Sequence, residues 1–122
     1  MGLFSKKRAP VDETVDVTTP FVFRVGDVFT ITGRGRMFTG TVESGAVAVN
    51  APATLLVGDC ALPAQVKRLE SRKRRNPVVL IAGDVGAIEL AGVDTNDLPL
   101  RVYGGQMVVD DRALRGAVIR SR

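Results

Sequence analysis

Residues 27–45, Asp-Val-Phe-Thr-Ile-Thr-Gly-Arg-Gly-Arg-Met-Phe-Thr-Gly-Thr-Val-Glu-Ser-Gly, constrain the fold more than any other stretch of this chain. Val28 to Thr32 is an unbroken run of β-branched and aromatic residues, which suit a pleated, half-buried surface. Gly33-Arg34-Gly35 interrupts it with two residues that reach positive φ without a steric penalty. Met37 to Glu43 resumes the extended pattern, and Ser44-Gly45 supplies a second turn signal. These residues predict a β-hairpin. Gly40 falls inside its second arm, where a glycine weakens a strand unless a close neighbour needs the space.

The rest of the chain continues in the same manner. It has 122 residues, 45% of them hydrophobic, and 13 Gly and 6 Pro divide its apolar segments. That pattern predicts one all-β domain, large enough to bury a core without covalent staples. Short extended segments are expected at Ala46–Val49, Thr54–Val57, Leu62–Leu69, Val85–Leu90 and Gln106–Val109, the last closing the set. Glu89 is expected to point outward. Pro77–Ile81 reads as a strand buried on both faces. Asp94–Asp97 suits a single helical turn that Pro99 stops.

The ends are less patterned. Residues 1–19 change sign from Lys6-Lys7-Arg8 to Asp12, Glu13 and Asp16, and read as a mobile tail. Residues 20–110 form the barrel domain in this reading. Residues 111–122 are either a tail or a short helix, with acids first and bases last as a helix dipole favours. Gly116 argues against a long helix.

Composition removes several chemistries. With no histidine, the common general base, the Ser–His and Cys–His nucleophile pairs and imidazole metal ligands are all missing. One cysteine cannot build a structural zinc site or an internal disulfide. Cys60 is therefore expected to be a small buried hydrophobe in a protein of the reducing cytoplasm. No lysine follows a glycine, so no phosphate-cradling loop of the Walker type exists. No apolar run is long enough to span a bilayer, and the N-terminus lacks a signal-peptide pattern. The expectation is a protein that is not an enzyme and binds no cofactor, metal, nucleotide or membrane.

Charge supplies the positive evidence. Residues 67–75 hold six bases, Lys67, Arg68, Arg72, Lys73, Arg74 and Arg75, against Glu70 alone. The remainder holds eleven bases and twelve acids, so the net charge of +4 is +5 on these nine residues and −1 on all the rest. Such a compact run favours polyanions through counterion release. Arg34 and Arg36 add to it if the hairpin tip lies nearby. RNA or the ribosome is the expected partner; a protein partner is the alternative. No aromatic residue interrupts the run, so phosphate contact rather than base readout is expected.

Three landmarks also carry a resemblance. Asp27 to Gly35 with Thr39 to Gly45 resembles the opening of the second domain of elongation factor Tu and its relatives. Ala82-Gly83-Asp84-Val85-Gly86 resembles that domain's "AGDxVG" turn, and Gly105-Gln106-Met107-Val108 its closing strand. The resemblance implies a small closed antiparallel β-barrel of the translation-factor domain 2 type. It also implies that Asp27, Phe29 and Thr39 match positions lining the pocket for the aminoacylated end of a transfer RNA. The GTPase domain that precedes the barrel in those factors is replaced here by a short tail, so GTPase activity does not follow. A separate GTPase domain is one protein partner on which such a barrel would dock.

Overall fold

The computed structural model describes residues 18–31 and 35–122. The N-terminal segment 1–17 and Arg34 lie outside these described residues. Nine strands are present among them: β1 (Phe21–Ile31), β2 (Gly35–Ala48), β3 (Pro52–Val57), β4 (Cys60–Ser71), β5 (Val79–Ile81), β6 (Val85–Ala91), β7 (Leu100–Tyr103), β8 (Gln106–Val109) and β9 (Val118–Ser121). A 3-10 turn covers Thr95–Asp97, and one helical turn, α1, covers Asp111–Leu114.

Six strands close a barrel in the order β1-β9-β3-β4-β6-β2, with β2 pairing back onto β1. Every pairing is antiparallel. The expected hairpin is its backbone, since β1 and β2 pair from Phe21–Gly45 to Ile31–Gly35. Closure leaves the six barrel strands without an outermost strand, so none of them is an edge of the barrel. Inside, Phe23, Val25, Phe38, Leu55, Val66, Leu69, Ile88 and Ile119 form one core.

Two of the three shifts in strand register reset the alternation that the core-facing residues would otherwise keep. Val25 and Val28 both face the core, three residues apart, because Gly26 is extra in the β1–β2 pairing. Val66 and Leu69 repeat this spacing because Lys67 is extra in the β4–β6 pairing. Each is a β-bulge, which bends the strand and raises its twist as a closing barrel requires. Close approach also explains the glycine inside β2. Gly40 faces Gly86 across the ladder, and a Cβ on Gly40 would collide with the Arg24 carbonyl of β1. One on Gly86 would collide with the Glu70 carbonyl of β4.

The barrel does not end at residue 110. Residues 111–122, expected as a tail or short helix, contain both a helical turn and a barrel strand. The Asp110 carboxylate caps α1 by accepting from the Arg112 amide at 3.2 Å. Gly116, at φ 83°, then turns the chain, and β9 inserts between β1 and β3. Leu114 and Ile119 are fully buried, which is the apolar gain a solvated tail would forgo. The Phe21 amide donates to Ser121 Oγ at 3.3 Å, joining the first strand to the last.

Three further expectations need correction. Gln106–Val109 does not close the barrel; it pairs only with β7, in a separate two-stranded ribbon. Pro77–Ile81 is not buried on both faces, since β5 is three residues added to the far end of β2, with Val78 and Ile81 exposed. Cys60 is exposed, because it leaves the tight β3–β4 turn at Gly58-Asp59 rather than entering the core.

Candidate nucleic-acid interface

The basic run is continuous in sequence and divided in space. Lys67 and Arg68 belong to β4, where the bulge sets both of them against one residue of β6, Glu89. Lys67 Nζ lies 3.5 Å from Glu89 Oε2, and Arg68 Nε lies 3.6 Å from Oε1. By register Glu89 is on the outer surface of the barrel, opposite in sense to its inward neighbour Ile88. It is nevertheless only 5% exposed. It points outward as expected, and is shielded from solvent because the bulge brings two long side chains over it instead of one. Their charge is therefore already engaged.

Arg72 to Arg75 follow in the β4–β5 loop. The Lys73 amide donates to Ser71 Oγ at 3.1 Å, which starts the turn. Arg74 is tied down. Its guanidinium donates to the Val79 carbonyl at 3.0 Å and to Asp84 Oδ2 at 3.1 Å. Asp84 Oδ2 also accepts from the Ile81 amide at 2.9 Å, so this one carboxylate closes the 81–84 turn and anchors the preceding loop. The "AGDxVG" aspartate thus has a structural use here. Arg72, Lys73 and Arg75 are exposed, and they make no side-chain hydrogen bond or ion pair with the described residues. Asn76 at φ 49° and the buried Pro77 end the loop and return the chain to β5.

Phe29 and Thr39 meet this loop. A depression of about 270 Å³ on the outer barrel surface is lined by Phe29, Thr39, Glu70, Ser71, Arg72 and Ala87. The Phe29 ring is 45% exposed at one side, with Arg72 at another. Thr39 Oγ1 donates to the Asp27 carbonyl at 3.1 Å, which fixes its hydroxyl. Asp27 itself does not line the depression. Its carboxylate accepts from the Val28 amide at 2.8 Å and faces Arg115 at 3.8 Å. Two residues named by resemblance and one named by charge therefore share a surface, a convergence that neither line of reasoning contained.

Arg36 lies elsewhere. The ladder Gly40–Gly86–Ser71 marks the level at which the basic loop begins. Arg36 is four residues before Gly40, about 13 Å along the strand at ~3.3 Å per residue. Its near neighbours are Glu89, Leu90, Val93 and Leu98, around a second hollow of about 190 Å³ at the barrel rim. The turn end of the hairpin and the basic loop are separate surfaces. Sequence reasoning missed Glu89 and Asp84, the two acids that choose which cations remain unpaired. A signal existed for the first: the pair Lys67-Arg68 between the inward residues Val66 and Leu69 is the spacing of a bulge.

No family model matches this chain. Among solved structures it is similar to translation elongation factor SelB from Methanococcus maripaludis, in the apo form and in complex with the GTP analogue GppNHp. In both, the TM-score is 0.59 at 23% sequence identity, over 84% of this chain and 19% of SelB. The chain thus spans about a fifth of the length of the protein it matches. At this level of identity the likeness establishes the fold: a closed antiparallel β-barrel of the kind carried by a translation elongation factor.

Proposed function

We propose that this chain is a non-enzymatic binding module that contacts RNA, alone or in the ribosome, through the depression between Phe29 and the β4–β5 loop. One observation carries the reading: Arg72, Lys73 and Arg75 are exposed and, among the described residues, have no ion-pair partner, on a loop anchored by Arg74–Asp84 and beside the exposed Phe29. Cations held ready on an ordered loop attract phosphates without first breaking internal ion pairs. The Phe29 face offers one stacking platform, which is tolerant of sequence. The fold shared with part of a translation elongation factor supports a setting in the translation machinery, and hence the cytoplasm. The missing phosphate-cradling loop and the missing histidine support a module that neither hydrolyses nor tightly binds GTP. Calorimetry with GTP is expected to show no micromolar binding.

A short single-stranded RNA titrated at rising salt tests the reading. Three phosphate contacts at about −0.7 each give a log–log slope near −2. Phe29→Ala is expected to weaken binding roughly tenfold, by loss of stacking, and to leave the slope unchanged. Binding that ignores salt would sink the RNA reading.

A second reading has its own observation. The β7–β8 ribbon exposes Val102, Tyr103 and Met107 by 60–68%. Two-stranded ribbons are marginal in water without support, which favours a protein partner at that surface. A salt-insensitive complex that is lost in Val102→Ser with Met107→Ser would support this alternative.

A further inference from the structure

The β7–β8 ribbon and the hollow at its base are complementary to one another. A two-residue turn at Gly104-Gly105, with φ of 61° and 80°, closes the ribbon tightly. Leu100 pairs with Val109 and Val102 with Met107, so these four side chains share one face. At the base of that face Val109 packs against the barrel core. Toward the tip, Val102 and Met107 run past the barrel and are 68% and 60% exposed. The apolar face is longer than the core surface beneath it.

A hollow of about 240 Å³ opens where the ribbon leaves the barrel, lined by Val57, Cys60, Asp97, Leu98 and Pro99. Four of these five residues are apolar. The space is smaller than the ~300 Å³ at which small-molecule sites begin, and it suits one or two side chains. Charge divides between the two features. Residues 57–61 and 93–99, which carry the hollow, contain Asp59, Asp94 and Asp97 and no base. The ribbon, residues 100–109, contains Arg101 and no acid. Among the described residues Asp97 faces no cation, and Arg101 reaches Asp110 only at 4.0 Å.

A protruding apolar tip beside an apolar hollow suits a twofold axis, across which each tip meets the other copy's hollow. Two ribbons packed antiparallel set tip against base by geometry alone. We propose that this face is the interface of a homodimer. Val102 and Met107 of each copy fill the hollow of the other, and Arg101 meets Asp97 at the margin. This makes a second copy of the chain the partner in the second reading above, and it does not depend on the RNA reading. The basic loops do not oppose it. The hollow lies at the start of the 12-residue β4 and the loop follows its end, roughly 35 Å away at ~3.3 Å per residue. That is well beyond the ~8 Å over which charges are felt at physiological salt. Few side chains meet in such a contact, which places it with the weak interfaces below about 1,200 Å².

Sedimentation equilibrium of the full chain tests this, at concentrations from about 10 µM to about 1 mM, a range suited to a weak interface. The average mass is expected to climb toward twice that of the monomer, and to do so at high salt as well as low. Val102→Asp puts a charge into the contact at an exposed position, where folding tolerates it, and should abolish the dimer. Met107→Cys reads the contact itself. Oxidation with diamide should give a covalent dimer whose linked peptides join position 107 of one copy to Cys60 of the other. Monomer at every concentration would overturn the proposal, and would leave RNA binding and the docking of a different protein to their own tests above. A dimer that persists in Val102→Asp would also overturn it, as would cross-links that join only like positions, 60 to 60 or 107 to 107.

Discussion

Lys67-Arg68 and Arg72 to Arg75 are a few residues apart and equally basic, yet the fold uses them in opposite ways. The first pair sits on a strand whose bulge aims both side chains at one nearly buried carboxylate. The second group sits on a loop where, among the described residues, one carboxylate takes one cation and leaves three. The difference is made by Glu89, which the sheet register sets against Lys67 and Arg68, and by Asp84, which the 81–84 turn holds against Arg74. A basic run is therefore not a basic surface; its acids decide how much of it remains available.

The barrel geometry that separates the two regions offers the largest effect. Gly40 and Gly86 lie on the ladder rung between them, where strand backbones approach most closely. Gly40→Val forces a side chain against the Arg24 carbonyl and should cost on the order of 3 kcal/mol, at the upper end of overpacking costs. A melting temperature lower by roughly 10 °C is expected for a domain of this size. An unchanged melting point would mean the two strands can part freely, and the division between the regions would lose its basis.

Glu89→Gln acts next, and on both stability and binding. Loss of the carboxylate should cost about 1 kcal/mol, since its partners are half-exposed and can rehydrate. The released Lys67 and Arg68 become available to phosphates. The salt slope for oligouridine should then steepen by up to about −1.4, two contacts at about −0.7 each. A slope that stays at its original value would show that these cations do not reach the strand even when free.

Smaller still is the contrast within the loop. Arg74→Ser breaks the contacts to Val79 and Asp84, and half-exposed pairs of this kind contribute only about 0.5–1 kcal/mol. Replacing Arg72, Lys73 and Arg75 with Ser should leave stability within about 0.5 kcal/mol of the original. Thermal melts that order the two variants the other way would contradict the anchoring role of Arg74.

Much of the architecture was legible because local chemistry agreed with the global fold. The β1–β2 hairpin and the all-β class follow from residue types and spacing, and the turn at Gly83-Asp84 from the resemblance. The final barrel strand was not legible. Val118-Ile119 is too short an apolar segment to be distinguished from a tail, and its pairing with β1 and β3 is a tertiary effect. The ribbon strand Gln106–Val109 has strand propensity but no local sign of which sheet it joins. For the site, Phe29 and Thr39 came from resemblance and the six cations from charge. Which cations stay unpaired depends on register, and register is set by long-range pairing that composition does not reveal.

The division between engaged and available cations is tested most directly by salt-dependent RNA binding in two variants measured side by side. One replaces Lys67 and Arg68 with Ser; the other replaces Arg72, Lys73 and Arg75. The expected result is that the first keeps a log–log slope near −2, while the second falls toward zero at about −0.7 per lost contact. Flattening by the Lys67–Arg68 variant, with the slope retained in the loop variant, would contradict the assignment of the loop as the RNA-binding surface.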